Sequence, residues 1–263
     1  MKLWLWLDGR MILLGRTVLG ILSHVINFLR FFLEMFISLP SVFSNFHTAV
    51  EQMYLIGITS VPLVGLTSIF TGAVAAWQAA YNFADYVPLR YVGTAVGKSV
   101  MLEVGPVLTA LVVSGRVGAA MTAELGTMAV TEQLDAMKVL NLNPFRFLMA
   151  PRLLAAMVML PMLTIISSFI AILGALLVVT LFKGLSPESF FYGVRLFYTN
   201  WDMFVGILKS FVFGIIIAMF GCYFGYTSTH GAEGVGRATM ASVVASNVSV
   251  LISGFLISNF LLR

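Results

Sequence analysis

Long uninterrupted stretches of apolar residues dominate the chain, and short charged segments separate them. About twenty residues are enough for a helix to cross the hydrocarbon core of a bilayer. Five stretches reach that length as continuous apolar runs, whereas β-barrel strands alternate polar and apolar residues. The pattern therefore predicts an all-α polytopic membrane protein with five transmembrane helices, numbered here as spans one to five. They are predicted at Gln52–Ala84, Tyr91–Gly115, Leu153–Phe182, Met203–Tyr226 and Ala238–Leu262.

The first 48 residues follow a different pattern. Charged residues interrupt the apolar positions of residues 1–32, and the longest uncharged run in that stretch, 17–29, is too short to cross a bilayer. The pattern predicts an amphipathic helix that lies in the membrane interface, followed by a turn at Pro40. A secretory signal is disfavoured because no apolar core leads to a small-residue cleavage site. We therefore divide the chain into an interfacial helix with its linker, 1–48, and a five-span domain, 49–263.

The composition supports a membrane protein, and the distribution of Lys and Arg predicts its orientation. The chain is 60% hydrophobic and 10% charged, whereas a soluble domain has about 25% charged residues. Its net charge is +4, and the basic residues are scattered along the chain. Scattered basic residues are more typical of the positive-inside bias of membrane proteins than of a nucleic-acid-binding patch. We expect the N-terminus inside and the C-terminus outside. The inner basic residues are then Lys2, Arg10, Arg16, Arg30, Arg116, Lys138, Arg146, Arg152 and Arg237, and the outer ones are Arg90, Lys98, Lys183, Arg195, Lys209 and Arg263.

A charged segment, about residues 119–146, separates spans two and three and is predicted to lie in the cytoplasm. Thr131 is the candidate N-cap of a short helix that ends before Asn143-Pro144. Its apolar and charged positions recur at helical spacing, so one face is expected to point to water. A solvated loop helix explains this pattern, and so does a docking helix for another protein. The candidate docking residues are Glu132, Gln133, Leu134, Asp135 and Lys138.

Three charged residues lie inside predicted spans, and one of them, Lys98, is near the outer interface and can reach water. The other two are Glu103 in span two and Lys209 in span four. A charge at the bilayer centre costs roughly 2.5 to 3.5 kcal/mol, so such residues usually face a cavity or a partner. We expect both to border a substrate cavity, the alternative being a salt bridge with each other or with neighbours. Phe70 and Trp77, at helical spacing in span one, are candidates for the same cavity. Aromatic residues on a span also meet lipid or neighbouring helices.

Small residues follow the apolar part of span two. Gly115, Gly118 and Gly126 lie among alanines and leave a surface nearly free of side chains. Such a surface favours close packing of another helix.

The sequence offers no catalytic or metal-binding pattern. No Cys/His cluster has metal-ligand spacing, and the glycine-rich stretch from His230 to Thr239 lacks the Gly-Lys-Ser/Thr ending of a nucleotide-binding loop. We predict a transport protein that is not an enzyme, binds no cofactor itself and takes its energy from ions or from a partner. The alternative to a partner-driven permease is a self-sufficient channel or ion-coupled transporter. Ion-coupled transporters usually show inverted repeats or broken helices.

The segment from Glu103 to Arg152 resembles the signature of the MlaE/YrbE family. Its ordered elements are EVGPVLTAL, GRVGAAMTAELGTM, TEQLDAM, Asn143-Pro144 and Pro151-Arg152. The resemblance covers nearly the whole chain, including the interfacial helix, the five spans and the loop at Gly234–Thr239. One position departs, because Leu102 stands where many members have Arg before the glutamate.

Members of that family are permease subunits of ABC transporters that move phospholipids between bacterial membranes. The resemblance implies a homodimer in the inner membrane of a Gram-negative bacterium, with a periplasmic C-terminus and a lipid-accessible cavity. It implies two cytoplasmic ATPases, which carry ATP and Mg and bind the helix around Glu132 to Lys138. It further implies a periplasmic MCE-domain protein, a STAS-domain regulator and a role in outer-membrane lipid asymmetry.

Overall fold

The structure is a computed structural model that describes residues 26–83 and 87–262. Within these ranges the chain forms helices and no strands. The helices are α1 (26–37), α2 (Phe46–Phe83), α3 (Tyr91–Val130), α4 (Gln133–Val139), α5 (Phe145–Lys183), α6 (Pro187–Leu196), α7 (Asn200–Tyr226) and α8 (Gly231–Leu261). In the described residues, five of them are long and apolar enough to cross a membrane, namely α2, α3, α5, α7 and α8. They are spans one to five, so the predicted five-span, all-α class is confirmed.

The predicted interfacial helix falls mainly on residues 1–25, which lie outside the described residues. Its described continuation, α1, buries Phe31 and Met35, which are one turn apart. Leu33 and Ile37 are exposed. Pro40 stands at the start of a 3₁₀ turn that leads into span one, where its missing N–H is tolerated.

The backbones of spans one and three are in contact where the two helices cross. A Cβ atom on Gly72 would stand 1.8 Å from the carbonyl oxygen of Ala171, and one on Gly174 would stand 2.3 Å from the carbonyl oxygen of Ile69. Only glycine permits so close an approach. The two glycines therefore face each other's helix and fix these spans at their crossing.

The helix that carries span two is longer than the predicted span. It extends past Gly115 and continues to Val130. The alanine-rich stretch after Gly118 has high helix propensity, and it carries the helix through residues that the sequence assigned to the connecting segment. Two π-helical turns interrupt the span, at Val100–Val104 and Ser114–Gly118.

Span four occupies the centre of the molecule. It packs against spans two, three and five, while span three lies between spans one and four. Phe213 and Ile217 of span four lie in the main core with Met121 and Leu125 of span two and Leu160 of span three. The spans that carry Glu103 and Lys209 therefore face each other directly.

Candidate functional site

Glu103 and Lys209 form a salt bridge with each other. Lys209 Nζ donates to Glu103 Oε1 at 2.5 Å, and the Lys209 side chain is 0% exposed. The Glu103 side chain is 45% exposed. A buried charge is stable only when it is paired and hydrogen-bonded, and Glu103 meets that need for Lys209. This salt bridge was the alternative that the sequence analysis left open. That both residues border a substrate cavity stays a prediction.

Pro106 explains the second partner of Lys209. Proline has no N–H, so Pro106 cannot donate to the carbonyl four residues earlier, which belongs to Leu102. Lys209 Nζ donates to that carbonyl oxygen at 2.9 Å. The π-helical turn Val100–Val104 lies at the same place in the span, and such turns are frequent at functional sites.

Span five completes this group. Ser258 Oγ donates to Glu103 Oε1 at 2.5 Å, so one carboxylate oxygen accepts from spans four and five together. We call Glu103, Lys209, Ser258 and the Leu102 carbonyl the Glu103 cluster. It ties spans two, four and five to one another.

An apolar cleft of about 200 Å³ lies beside the Glu103 cluster, between spans two, three and four. Met101 and Gly206, which neighbour the cluster along their helices, line it with Thr164 and Phe169 of span three. None of the four predicted cavity residues lines this cleft. The cleft and the charged group are therefore adjacent but separate features.

Phe70 and Trp77 lie on the outer surface of span one. Phe70 is 65% exposed and Trp77 is 48% exposed. The Trp77 ring contacts Phe182 edge-to-face, and Lys183 Nζ lies 5.0 Å from its ring centroid. These contacts hold Trp77 against the end of span three, and the proposed cavity role of both aromatics stays a prediction.

The candidate docking helix is α4, Gln133–Val139, and it begins differently from the prediction. Thr131 is not its N-cap, because span two runs on and Thr131 caps the C-terminus of that span. Glu132 precedes α4 in the left-handed conformation, with φ of 61°. Span two ends and α4 begins here, and the residue with positive φ separates the two helices.

One side of α4 is anchored and the other is open. Leu134 is buried, whereas Glu132, Gln133, Asp135 and Lys138 are exposed. Two apolar residues at the end of the helix, Val139 and Leu140, are 87% and 70% exposed. The charged residues were predicted to face water, and their exposure agrees with that. The exposed apolar pair was not predicted.

The end of α4 is a Schellman motif and does not depend on Asn143-Pro144. Asn141 has φ of 58°, and its N–H donates to Lys138 O at 3.0 Å. The N–H of Leu142 donates to Met137 O at 2.8 Å. These are the two hydrogen bonds of the motif, with asparagine in the left-handed position that usually takes glycine.

Lys138 has defined partners despite its exposure. Its Nζ donates to Asp135 Oδ1 at 2.8 Å and lies 5.3 Å from the ring centroid of Tyr226. The hydrogen bond to Asp135 is the main cause that raises the pKa of Lys138 above 10.5, and the nearby Tyr226 side chain contributes. Lys138 is therefore a fixed cation on the surface of α4 at neutral pH.

The three glycines singled out for helix packing have different surroundings. A Cβ atom on Gly118 would stand 3.3 Å from Ile217, and one on Gly126 would stand 3.1 Å from Val235. Gly118 therefore packs against span four and Gly126 against span five. At Gly115 a Cβ atom would meet nothing within 4 Å among the described residues.

Two further arginine contacts were missed by sequence reasoning. Arg152 Nη2 lies 2.7 Å from Glu124 Oε1, and the Arg152 side chain is 2% exposed. Arg116 Nη1 donates to Ser60 Oγ at 2.7 Å, which joins the π-helical turn of span two to a 3₁₀ turn in span one. Both arginines stand beside apolar runs in the sequence, but periodicity does not reveal partners that are far apart along the chain.

Comparison with known proteins places this arrangement in a family. The family model described as "Permease MlaE" matches residues 49–260, which include all five spans, the Glu103 cluster and α4. The chain belongs to the MlaE permease family. A "probable ABC transporter permease protein" of Synechocystis sp. is 41% identical over 214 residues, covering 81% of each chain. A protein of the same description from Rickettsia typhi is 37% identical over 248 residues, covering 92% of this chain and 96% of the relative.

A third relative, from Pyropia yezoensis, is also described as a probable ABC transporter permease protein, with 34% identity over 235 residues. Membership in the MlaE family therefore identifies a membrane-spanning transport subunit rather than a catalytic one. An ABC transporter permease implies an ATPase as its partner. For this MlaE-family permease, the exposed surface of α4 and the Glu103 cluster are the two regions to which a function must be assigned.

Proposed function

We propose that this chain is the permease subunit of an ABC transporter that moves phospholipids between the inner and outer membranes and so maintains outer-membrane lipid asymmetry. The observation that carries the proposal is the Glu103 cluster, in which a fully buried cation meets a half-exposed carboxylate inside the spans. A hydrocarbon environment makes such charges costly, so they are kept for substrates or partners.

In the proposed mechanism, Lys209 attracts the phosphate of the lipid and Glu103 acts as the gate. At rest, Glu103 neutralises Lys209. A phosphate group that reaches Lys209 replaces the carboxylate, since both are anionic acceptors that suit an ammonium donor. The Leu102 carbonyl holds the lysine in place during this exchange. Phe70 and Trp77 are proposed to meet the acyl chains.

The energy is proposed to come from a cytoplasmic ATPase that docks on α4. The chain itself binds no cofactor in this proposal, and ATP and Mg stay on the ATPase. Val139 and Leu140 are exposed at the end of α4, and the exposed charged residues precede them. We assign the apolar pair to the centre of the interface and the charges to its rim, as in many protein interfaces. Docking of this surface transmits the movement of the ATPase to the spans.

The assembly is proposed to contain two copies of this chain, with the N-terminus in the cytoplasm and the C-terminus in the periplasm of a Gram-negative bacterium. The open surface at Gly115 supports a close contact with a second copy. A periplasmic MCE-domain protein would continue the lipid route across the periplasm. A STAS-domain protein would regulate the ATPase.

Purification and reconstitution test this function. The tagged protein is purified from its native membrane in mild detergent, and its stoichiometric partners and bound lipids are identified. We expect an ATPase, an MCE-domain protein and phospholipid, and ATP-dependent transfer of labelled phospholipid after reconstitution. Lys209→Gln should slow transfer about tenfold or more. The control Lys98→Gln, which affects a half-exposed cation 3.7 Å from Asp202, should change it by about twofold or less.

Two results would contradict the proposal. A chain that is purified alone and exchanges solute in liposomes without ATP would favour the channel or ion-coupled alternative. Equal transfer by Lys209→Gln and the unsubstituted protein would exclude the proposed role of the Glu103 cluster.

A further inference from the structure

An ion pair closes the base of the hairpin that carries α4. Glu124 lies in the last two turns of span two, and Arg152 lies in the first two turns of span three. Arg152 Nη2 and Glu124 Oε1 are 2.7 Å apart. The whole connection between the spans, including α4, therefore extends from one residue of the pair to the other.

Arg152 depends strongly on this contact. Its side chain is 2% exposed, and its Nε and Nη1 atoms are buried with no hydrogen-bond partner among the described residues. Removing one member of a buried pair leaves an uncompensated charge, which is far more costly than losing a surface ion pair. The ends of spans two and three cannot separate at this level without exposing Arg152 to that cost.

Glu124 differs from its partner in being 57% exposed. Glutamine fits this half-exposed position and keeps an oxygen that can accept from Arg152, so Glu124→Gln removes the charge without leaving a cavity. The buried Arg152 then loses its compensating charge, and the expected result is opening of the pair.

We propose that Glu124 and Arg152 form a clasp that makes the ends of spans two and three move as one body when α4 is displaced. The inference rests on the proposed function, because it assigns these residues to the transmission of movement from the ATPase. Both are positioning residues, which act through the spans and not on the lipid. Without the clasp, displacement of α4 is absorbed by the separation of the two span ends, and ATP hydrolysis continues with less lipid moved.

Cys222 gives a direct reporter of the clasp. It is the sole cysteine of the chain and is buried in span four. It lies in the main core with Leu125 and Leu153, which directly follow Glu124 and Arg152 in the sequence. Reaction of its thiol with a maleimide therefore requires opening of this region. The reporter needs no added cysteine.

The experiment compares Glu124→Gln with the control Glu233→Gln in the assembled, reconstituted transporter. Glu233 is also an exposed carboxylate near an arginine, 3.8 Å from Arg237 at the start of span five. For Glu124→Gln we expect ATP hydrolysis within about twofold of the unsubstituted protein. Lipid moved per ATP should fall about fivefold or more, and N-ethylmaleimide should label Cys222 about fivefold faster without ATP. The control should change each quantity by about twofold or less.

Arg152→Lys is the second variant, since it keeps the charge and loses the planar fork. It should give an intermediate loss of lipid moved per ATP. The clasp is overturned if Glu124→Gln leaves both the lipid-to-ATP ratio and the labelling of Cys222 unchanged. It is also overturned if hydrolysis and transfer fall in equal proportion while the complex stays intact. Failure of the unsubstituted protein to bind an ATPase would instead overturn the proposed function, and the inference with it.

Discussion

The Glu103 cluster and α4 contain charged side chains in opposite settings. In the cluster, Lys209 is fully buried and donates to two acceptors from another span. On α4, Asp135 and Lys138 pair at the surface, and Val139 and Leu140 are exposed beside them. Polar groups that are satisfied within the chain stabilise it, whereas exposed apolar groups gain from a partner.

The comparison shows how a transport subunit divides its work between two regions. The cluster joins three spans at one carboxylate oxygen, so its contacts contribute directly to the fold. The α4 helix is anchored through Leu134 alone among its described buried residues, so its surface is available for a partner at little cost to the fold. Substitutions should therefore change stability in the first region and binding in the second.

The largest effect is expected from Glu103→Ala. This change leaves the fully buried Lys209 without its carboxylate, which should lower the free energy of unfolding by about 3 kcal/mol, the low end of the range for a broken buried pair, because Glu103 is half-exposed. Thermal unfolding in detergent, followed by tryptophan fluorescence, measures the loss. The double variant with Lys209→Met should recover much of the stability, and a double variant as unstable as Glu103→Ala would contradict the assignment.

The second effect is on binding rather than stability. Leu140→Asp should weaken capture of the ATPase about tenfold or more, because it places a charge in the centre of the proposed interface. The unfolding temperature should not change, since Leu140 is 70% exposed. Pull-down with purified ATPase measures the affinity, and the control is Leu262→Asp, which follows the end of span five that lies near Glu103. Equal capture by both variants would remove Leu140 from the interface.

The smallest effect tests the shape of α4. Asn141→Ala should destabilise the helix end by about 1 kcal/mol, because alanine tolerates positive φ less well than asparagine. Asn141→Gly should be neutral or slightly stabilising. Hydrogen exchange of the α4 amides is the measurement, with faster exchange expected in the alanine variant. Slower exchange in that variant would show that the left-handed turn does not limit the helix.

The five spans were predictable because long apolar runs have few alternatives. The length of the helix in span two was not, since residues 119–130 were assigned to the connecting segment but continue a helix that packs against spans four and five. Thr131 has the propensity of an N-cap, yet the preceding helix reaches it first. Local preference gave way in both places to packing between distant segments.

The candidate site shows the same division. Glu103 and Lys209 were recognisable as charges in apolar surroundings. The Leu102 carbonyl was not predicted as a partner of Lys209, although Pro106 is a sequence signal for it. The role of Ser258 was not recognisable, because serine is common on the packed faces of spans. The pairing of Glu124 with Arg152 requires the hairpin to close, and no local pattern in the sequence encodes that contact.

The crossing of Gly72 and Gly174 has a consequence for how this protein tolerates change. At each position the partner backbone occupies the place of a methyl group, so even alanine would force spans one and three apart. A library with every amino acid at these two positions should therefore return glycine almost exclusively among variants that reach the membrane in folded form. Neither glycine takes part in the proposed transport steps, so this selection would come from assembly of the fold and not from the movement of lipid.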